Sequence, residues 1–428
     1  FFCKMIEQVV SKVNMKRAYQ RVYRNGGSAG IDKMSVAQLF FHLQKTWDDT
    51  KTSLLSGQYL PQPIKGVEIP KPNGKTRLLG IPTVQDRLTQ QALHQVLSPI
   101  FEKEFSAFSF GFRPNKSAHD ALQTSLSYIN EGYQHIIDID LKSFFDEVDH
   151  SILLQLIYQR IKCPTTMKLI RKFLRAPIMI QGKLKKRRKG VPQGGPLSPL
   201  LSNILLHELD LFLMERGVRF VRYADDFSIY VKSEKAAKRV GNNVYVFLRD
   251  ILKLPINREK SGKRRPLDFE VLGYAFVSSY KKGSKGQYQL VAKRDSWKKL
   301  KTSLKEVTRK TTPMSFDERI KKLLEIQRGW VNYFSLGNIK RKLKKVDEWV
   351  RNRLRYCIWQ HWKKVERKRK NLMRLGISYD QAYAWSRTRK GGWAVAQSPI
   401  LITTITLERL EKRGYISMLD IYRKLAER

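Results

Sequence analysis

The spacing of apolar residues changes along the chain and predicts three successive regions of different secondary structure. Up to about residue 60 apolar residues recur at helical intervals, as in MIEQVVSKV and MKRAYQRVY, and the pattern breaks at Gly26, Gly27 and Gly30. From Val67 short β-like runs alternate with turns and helices, and after about residue 290 the chain is again helical. This order predicts an α+β fold rather than a regular βαβ alternation.

Two apolar runs contain acidic residues and predict strands. HIIDIDL (135–141) predicts one buried strand, and RFVRYADDFSIYVK (219–232) predicts two strands that meet at a pair of aspartates. In the first run Asp138 and Asp140 alternate with apolar residues, so the strand period places both on one face. Between the two runs, leucines at helical spacing predict a helix that packs under the sheet and ends at Gly217.

Basic residues greatly outnumber acidic ones. The chain has 83 Lys and Arg against 38 Asp and Glu, a formal net charge of +45. A surface this positive repels itself unless a polyanion neutralises it, and nucleic acid does so along an extended track. A membrane is disfavoured, because no stretch approaches the roughly 18 apolar residues of a spanning helix. The charge predicts a soluble protein with a nucleic-acid partner.

The cysteines and the start of the chain argue against a secreted, disulfide-bonded or zinc-binding protein. Cys3, Cys163 and Cys357 are far apart and match no zinc spacing or disulfide framework, so we expect free thiols in a reducing compartment. The first residues, FFCKM, do not begin with Met and lack the charged start of a secretory signal. This indicates either a missing upstream piece or a late start of the numbering.

The acidic residues of the predicted strands are candidate metal ligands. Asp225 and Asp226 lie at a predicted hairpin tip, and such a tip can lie beside the end of the strand that contains Asp140, 85 residues upstream of Asp225. Hard Mg²⁺ ions prefer oxygen ligands, and two of them can assist an in-line phosphoryl transfer. The alternative is ordinary turn chemistry, since Asp is common in turns. The distant third acid favours the metal site.

A series of motifs in order along the chain resembles the reverse transcriptases encoded by group II introns. The motifs are IPKPNGKTRLLGIPTVQDRLTQQAL (69–93), SFGFRPNKSAHDAL (109–122), DLKSFFD (140–146), GVPQGGPLSPLLSNILL (190–206), YADD (223–226), NREKS (257–261) and LGYAF (272–276). RGWVNYF (328–334) and DEWVRNRLRYCIWQHWKK (347–364) are similar to the thumb and maturase region of the same family. The chain resembles the compact, endonuclease-lacking bacterial form of class C.

The resemblance implies a catalytic set. Asp140, Asp225 and Asp226 would bind two Mg²⁺ ions, with Mn²⁺ as a substitute, and Lys260 would donate a proton to the departing pyrophosphate. For Lys260, a solvated lysine fits the sequence equally well.

The resemblance also implies a nucleotide-binding set. Lys71 and Arg77 would grip the incoming triphosphate, and Gln193 would lie beside the nucleotide and template, in a turn whose glycines permit close backbone approach. Phe145 would occupy the space of a 2′-hydroxyl and select deoxynucleotides, although core packing would suit the FF pair as well.

Two further features stay open. The run KLKKRRK (183–189) suits a phosphate-facing loop and a solvated hairpin tip equally. The tryptophans and tyrosines of the thumb could stack on bases, but we expect most of them to pack between helices. They include Trp330, Tyr333, Trp349, Trp359 and Trp362.

The expected architecture is a right-hand polymerase: an N-terminal extension (1–60), fingers and a palm with an antiparallel sheet (61–288), a helical thumb (289–364) and a basic C-terminal domain (365–428). By resemblance it copies RNA into DNA in a bacterial cytoplasm. Its partners would be the parent intron RNA, a DNA primer or target, and deoxynucleotides. Two rivals remain: a splicing-only RNA-binding maturase, and a domesticated reverse transcriptase of a defence or repair system.

Overall fold

The computed structural model describes residues 4–70, 74, 76–280 and 283–427. The chain divides into two compact units, Phe1–Pro266 and Leu267–Arg428. The four domains expected from the sequence are a finer division, and their boundaries stay a prediction. Within the described ranges, no helix combines the length and apolar character needed to cross a membrane.

Helices dominate the first unit, and side-chain caps fix where several of them begin. Ser11 accepts from the Asn14 amide at the start of α2, and Thr83 accepts from the Asp86 amide at the start of α4. The helices are α1 (Lys4–Val10), α2 (Lys12–Asn25), α3 (Leu39–Leu55), α4 (Val84–Glu102), α5 (Ala118–Asn130), α6 (Phe144–Glu147), α7 (His150–Arg160), α8 (Pro164–Arg175), α9 (Ser198–Glu215) and α10 (Glu234–Val246). The helical start expected before residue 60 is therefore confirmed.

Two four-stranded sheets lie in the first unit. The first has the order β2-β1-β4-β5, and its strands are β1 (Ile64–Pro70), β2 (Thr76–Ile81), β4 (Ile178–Ile180) and β5 (Lys183–Lys185). The second is antiparallel, has the order β6-β7-β3-β8, and consists of β3 (His135–Ile139), β6 (Arg219–Tyr223), β7 (Asp226–Val231) and β8 (Gly262–Arg264). The second sheet is the expected antiparallel palm sheet.

Apolar packing explains the position of the palm sheet. Strand β7 is buried at every position after Asp226, as a central strand covered on both faces must be. Helix α9 is buried along most of its length, and its Leu205, Leu206 and Leu209 belong to the same core as Phe220 of β6. The palm sheet is thus supported by apolar packing against α9.

The second unit contains a small sheet and nine described helices. The sheet order is β11-β10-β9, with β9 (Glu270–Val271), β10 (Tyr274–Ser278) and β11 (Tyr288–Ala292). The helices are α11 (Arg294–Val307), α12 (Phe316–Phe334), α13 (Lys340–His361), α14 (Val365–Arg374), α15 (Tyr379–Ser386), α16 (Gly392–Ala396), α17 (Pro399–Ile402), α18 (Leu407–Lys412) and α19 (Met418–Ala426). The α+β prediction is confirmed.

The aromatic residues of the second unit mostly pack against each other. The ring of Trp330 lies 4.5 Å from that of Trp297 and 4.4 Å from that of Phe334, between centroids. Trp359 is only 2% exposed. Tyr333 donates from its hydroxyl to the Leu272 carbonyl. These contacts agree with the expectation of helix packing.

Candidate active site

The hairpin between β6 and β7 presents two of the predicted acids. Tyr223 and Asp226 are the last paired residues of the hairpin, so Ala224 and Asp225 form its two-residue loop. Ala224 adopts a φ of 59°, which two-residue hairpin loops require at a central position and which usually selects glycine. Asp225 therefore lies at the tip of a tight, strained turn.

Asp140, the third predicted acid, lies just beyond the end of β3 and is held by the 257–261 segment. The Asn257 side chain donates to Asp140 Oδ2 at 2.8 Å, and the Asn257 amide donates to the Asp140 carbonyl at 2.8 Å. The Asp140 amide donates to Ser261 Oγ at 2.9 Å. Since β3 pairs with β7, the position of Asp140 is fixed relative to the hairpin tip.

One cleft of about 720 Å³ brings together most of the predicted site residues. Its walls include Arg77, Asp140, Phe145, Gln193, Asp225 and Lys260. Asp226 follows directly at the first position of β7 and is solvent-accessible. Lys71 lies outside the described residues. Residues far apart in sequence thus converge on one concave site.

Negative charge is concentrated around the hairpin. Desolvation by surrounding protein, and then the charges of Asp225, Asp140 and Asp138, raises the pKa of Asp226 to about 6. Burial raises the pKa of Asp225, and the charge of Asp140 adds to that rise while Arg77 opposes it. Such mutual repulsion shows that the carboxylates act on one another, and cations would relieve it.

The donor set fits Mg²⁺, although it is not assembled as a metal cage. Asp140 and Asp225 line one cleft, Asp226 follows Asp225 in the chain, and hard divalent ions select such carboxylate oxygens as ligands. In the described ranges, no three His, Cys, Asp or Glu side chains are grouped closely enough to hold an ion as they stand. Asp140 Oδ2 instead faces Lys260 Nζ at 3.6 Å as well as Asn257. Mg²⁺ sites of this kind also use substrate phosphates as ligands.

The same cleft is also lined by three of the predicted nucleotide-binding residues, Arg77, Gln193 and Phe145. Arg77 Nε donates to Gln193 Oε1 at 2.5 Å, so the β2 strand and the 190–196 turn are joined across the site. The Gly80 amide donates to the Gln193 carbonyl at 2.7 Å. Phe145 is 9% exposed, and its ring packs edge-on against Phe144. The steric-gate prediction and the packing alternative for Phe145 both agree with this placement.

Sequence reasoning missed the residues that hold the acids in place. Asn257 and Ser261 bracket Lys260 in NREKS, and their contacts to Asp140 depend on a loop that returns beside β3. Arg222 comes directly before YADD and is completely buried. In a chain with a net charge of +45, a basic residue is expected at the surface. A charged residue inside the apolar run RFVRY was the available signal.

Comparison with known proteins assigns both parts of the chain. Residues 69–276 match the family described as reverse transcriptase (RNA-dependent DNA polymerase), and residues 297–376 match the group II intron maturase-specific domain. Protein YkfC of Escherichia coli (strain K12) is 36% identical over 274 residues, which cover 55% of this chain and 71% of YkfC. The chain belongs to the group II intron reverse transcriptase and maturase family. The family resemblance expected from the sequence is thereby confirmed.

Another relative is covered over less of its own length. The group II intron-encoded protein LtrA of Lactococcus lactis subsp. cremoris is 40% identical over 206 residues, 48% of this chain but 34% of LtrA. The chain therefore spans about a third of that relative. A solved telomerase structure from Candida albicans aligns with a TM-score of 0.41 and 14% identity, over 81% of this chain and 68% of that chain. That likeness is too distant to add to the assignment.

Proposed function

We propose that this chain is an RNA-directed DNA polymerase that also binds its parent group II intron RNA to assist splicing and mobility. The observation that carries the polymerase proposal is the cleft that Asp140 and Asp225 share with Arg77, Gln193 and Phe145. Carboxylates for metal, a guanidinium for phosphate and an aromatic wall for a sugar are the groups that nucleotide addition requires. They come from four separate segments of the first unit.

In this proposal the acids hold two Mg²⁺ ions, and the wall residues orient the nucleotide. Asp140, Asp225 and Asp226 would be the ligands. Bound there, the ions would activate the attacking primer oxygen and stabilise the leaving oxygen. Arg77, fixed by Gln193, would contact the triphosphate, and Phe145 would fill the space beneath the sugar.

The reaction joins the primer 3′-oxygen to the α-phosphorus of the nucleotide and breaks that phosphorus's bond to pyrophosphate. The primer hydroxyl loses its proton, and the pyrophosphate gains one. Lys260 is the proposed proton donor, since its Nζ lies 3.6 Å from Asp140 Oδ2 and both residues line the cleft. The same ammonium would compensate the negative charge that develops on the departing group.

The RNA-binding part of the proposal rests on charge and on the maturase domain. Net charge of +45 favours a long polyanionic partner, and the match over residues 297–376 lies in the second unit. Template and intron RNA, a DNA primer or target, and deoxynucleotides would be the partners. A bacterial cytoplasm is the proposed location, as LtrA and YkfC are bacterial relatives.

The test is to replace Asp225 with Asn and measure cDNA synthesis and RNA binding separately. We expect D225N to lose primer extension on an RNA template while its affinity for the intron RNA is retained. D250N, at an exposed acid paired with Arg249, is the matched control and should extend primers normally. Full synthesis by D225N would refute the metal assignment. A wild-type chain that promotes splicing and makes no cDNA would be a splicing-only maturase.

A further inference from the structure

A fully buried ion pair lies directly behind the hairpin tip. Arg222, two residues before Ala224, donates from Nε and Nη2 to the two carboxylate oxygens of Asp210 at 2.7 and 2.5 Å, and both side chains are 0% exposed. Replacing a buried ion pair by apolar residues is often neutral or stabilising, so its presence is poorly explained by stability alone. The remaining donor of Arg222 indicates another purpose.

That donor, Nη1, points at the turn. It donates to the Ala224 carbonyl at 3.0 Å and to Asn203 Oδ1 at 2.9 Å. The Asn203 side chain in turn donates to the Gly111 carbonyl at 3.0 Å. Asn203 and Asp210 are seven residues apart on α9, so two helical turns place them on the same face toward Arg222.

Gly111 closes the turn from the other side. The 108–110 segment adds to the edge of β6, since the Arg222 amide donates to the Phe108 carbonyl and the Phe110 amide donates to the Arg222 carbonyl. A Cβ at Gly111 would collide with the backbone of Ala224. The left-handed Ala224 is thus held between a guanidinium and a bare backbone.

We infer that Arg222, aligned by Asp210 and Asn203, is a positioning residue that locks the Ala224 turn and thereby sets the direction of the Asp225 and Asp226 carboxylates. The inference rests on the proposed polymerase function. Arg222 is not a catalytic residue, because its charge is matched by Asp210 and its donors are directed at protein groups. A lysine cannot reproduce this fork, since it has no planar set of donors.

The test uses R222K, which keeps a cation beside Asp210 but loses the fork, and N203A, which keeps the ion pair but removes the Asn203 bonds. R219K is the control, since Arg219 lies on the same strand with its side chain 41% exposed. We expect R222K and N203A to lower kcat by about 10- to 100-fold, because about 1 Å of misplacement can cost that much. The nucleotide KM should change little and half-saturating Mg²⁺ should rise.

Hydrogen exchange of the metal-free full-length protein gives a readout independent of activity. Peptides covering residues 219–231 should exchange faster in R222K and N203A and at the wild-type rate in R219K. Should R222K fail to fold, N203A alone decides. Wild-type exchange and kcat in the folded variants would overturn the inference. The inference would also be overturned if the variants contained less active enzyme but kept the wild-type kcat per active site and the wild-type Mg²⁺ dependence. If the wild type and D225N were both inactive, the polymerase proposal would be refuted. The exchange result would still test whether Arg222 orders the hairpin.

Discussion

Replacing Gly194 with alanine should weaken nucleotide binding far more than it destabilises the fold. Gly194 follows Gln193 in the turn that lines the cleft with Asp225 and has a φ of 128°, a conformation that residues with a Cβ rarely adopt. A Cβ there would lie 2.5 Å from the Gly80 carbonyl oxygen. That atom belongs to the backbone of β2 and cannot rotate away, so the turn must move and displace Gln193.

The expected size follows from the strain. A residue forced into a sparsely populated backbone region costs about 1 to 3 kcal/mol. If the G194A turn relieves this strain by leaving its place beside Gly80, restoring the binding geometry costs the same amount. At about 1.4 kcal/mol per tenfold, the nucleotide KM should rise about 5- to 150-fold. The kcat should change less, since the acids are held by other segments.

Steady-state primer extension at varied deoxynucleotide concentration measures KM and kcat, and thermal melting of the same samples measures the stability of the fold. G182A is the matched control: Gly182 also has a positive φ, of 80°, but no atom lies within 4 Å of its Cβ position. It shares the backbone strain without the collision. An unchanged KM in G194A, or an equal rise in G182A, would refute the reasoning.

Three other outcomes are expected. F145V should raise ribonucleotide incorporation relative to deoxynucleotide incorporation in primer extension, and unchanged sugar selectivity would favour a packing role alone. Burial raises the pKa of Asp86 from 3.8 to about 6, so the folded state binds this proton more tightly and the free energy of unfolding should fall by about 2 kcal/mol between pH 4 and pH 6. In urea denaturation, the free energy of unfolding of D86N should not show this decrease with pH, whereas that of D250N should show it. Affinity for intron RNA should drop about 10³- to 10⁵-fold between 50 and 200 mM salt, and a flat response would contradict an extended phosphate-binding track.

Local patterns predicted much of the fold because the decisive interactions were local. The strands on either side of Asp225, the leucine-rich helix before them and its end near Gly217 all follow from apolar spacing and turn residues, and the structure has them as β6, β7 and α9. The convergence of Asp140 with the hairpin could be expected because a hairpin tip can lie beside the end of a neighbouring strand, and a buried acid needs a partner. Family motifs supplied the individual roles, which remain predictions.

The supports of the site could not be predicted in the same way. The Asn257 contact to Asp140 joins residues 117 positions apart, and the contact of Arg77 with Gln193 spans 116. Neither residue type carries a local signal, because Asn in a loop and Arg in a basic chain are ordinary. Arg222 is the clearer case: only the buried Asp210 on α9 reveals why a charge can lie inside that strand.

The close approach of Gly111 to Ala224 has a consequence for how substitutions combine. Side chains on α9, the edge segment around Gly111 and the acidic hairpin share one set of contacts, so changes in any two of them should not add independently. The effects of N203A and R222K should therefore overlap in the double variant and not multiply. Exchange of sequence between relatives at this centre must therefore transfer all three segments together.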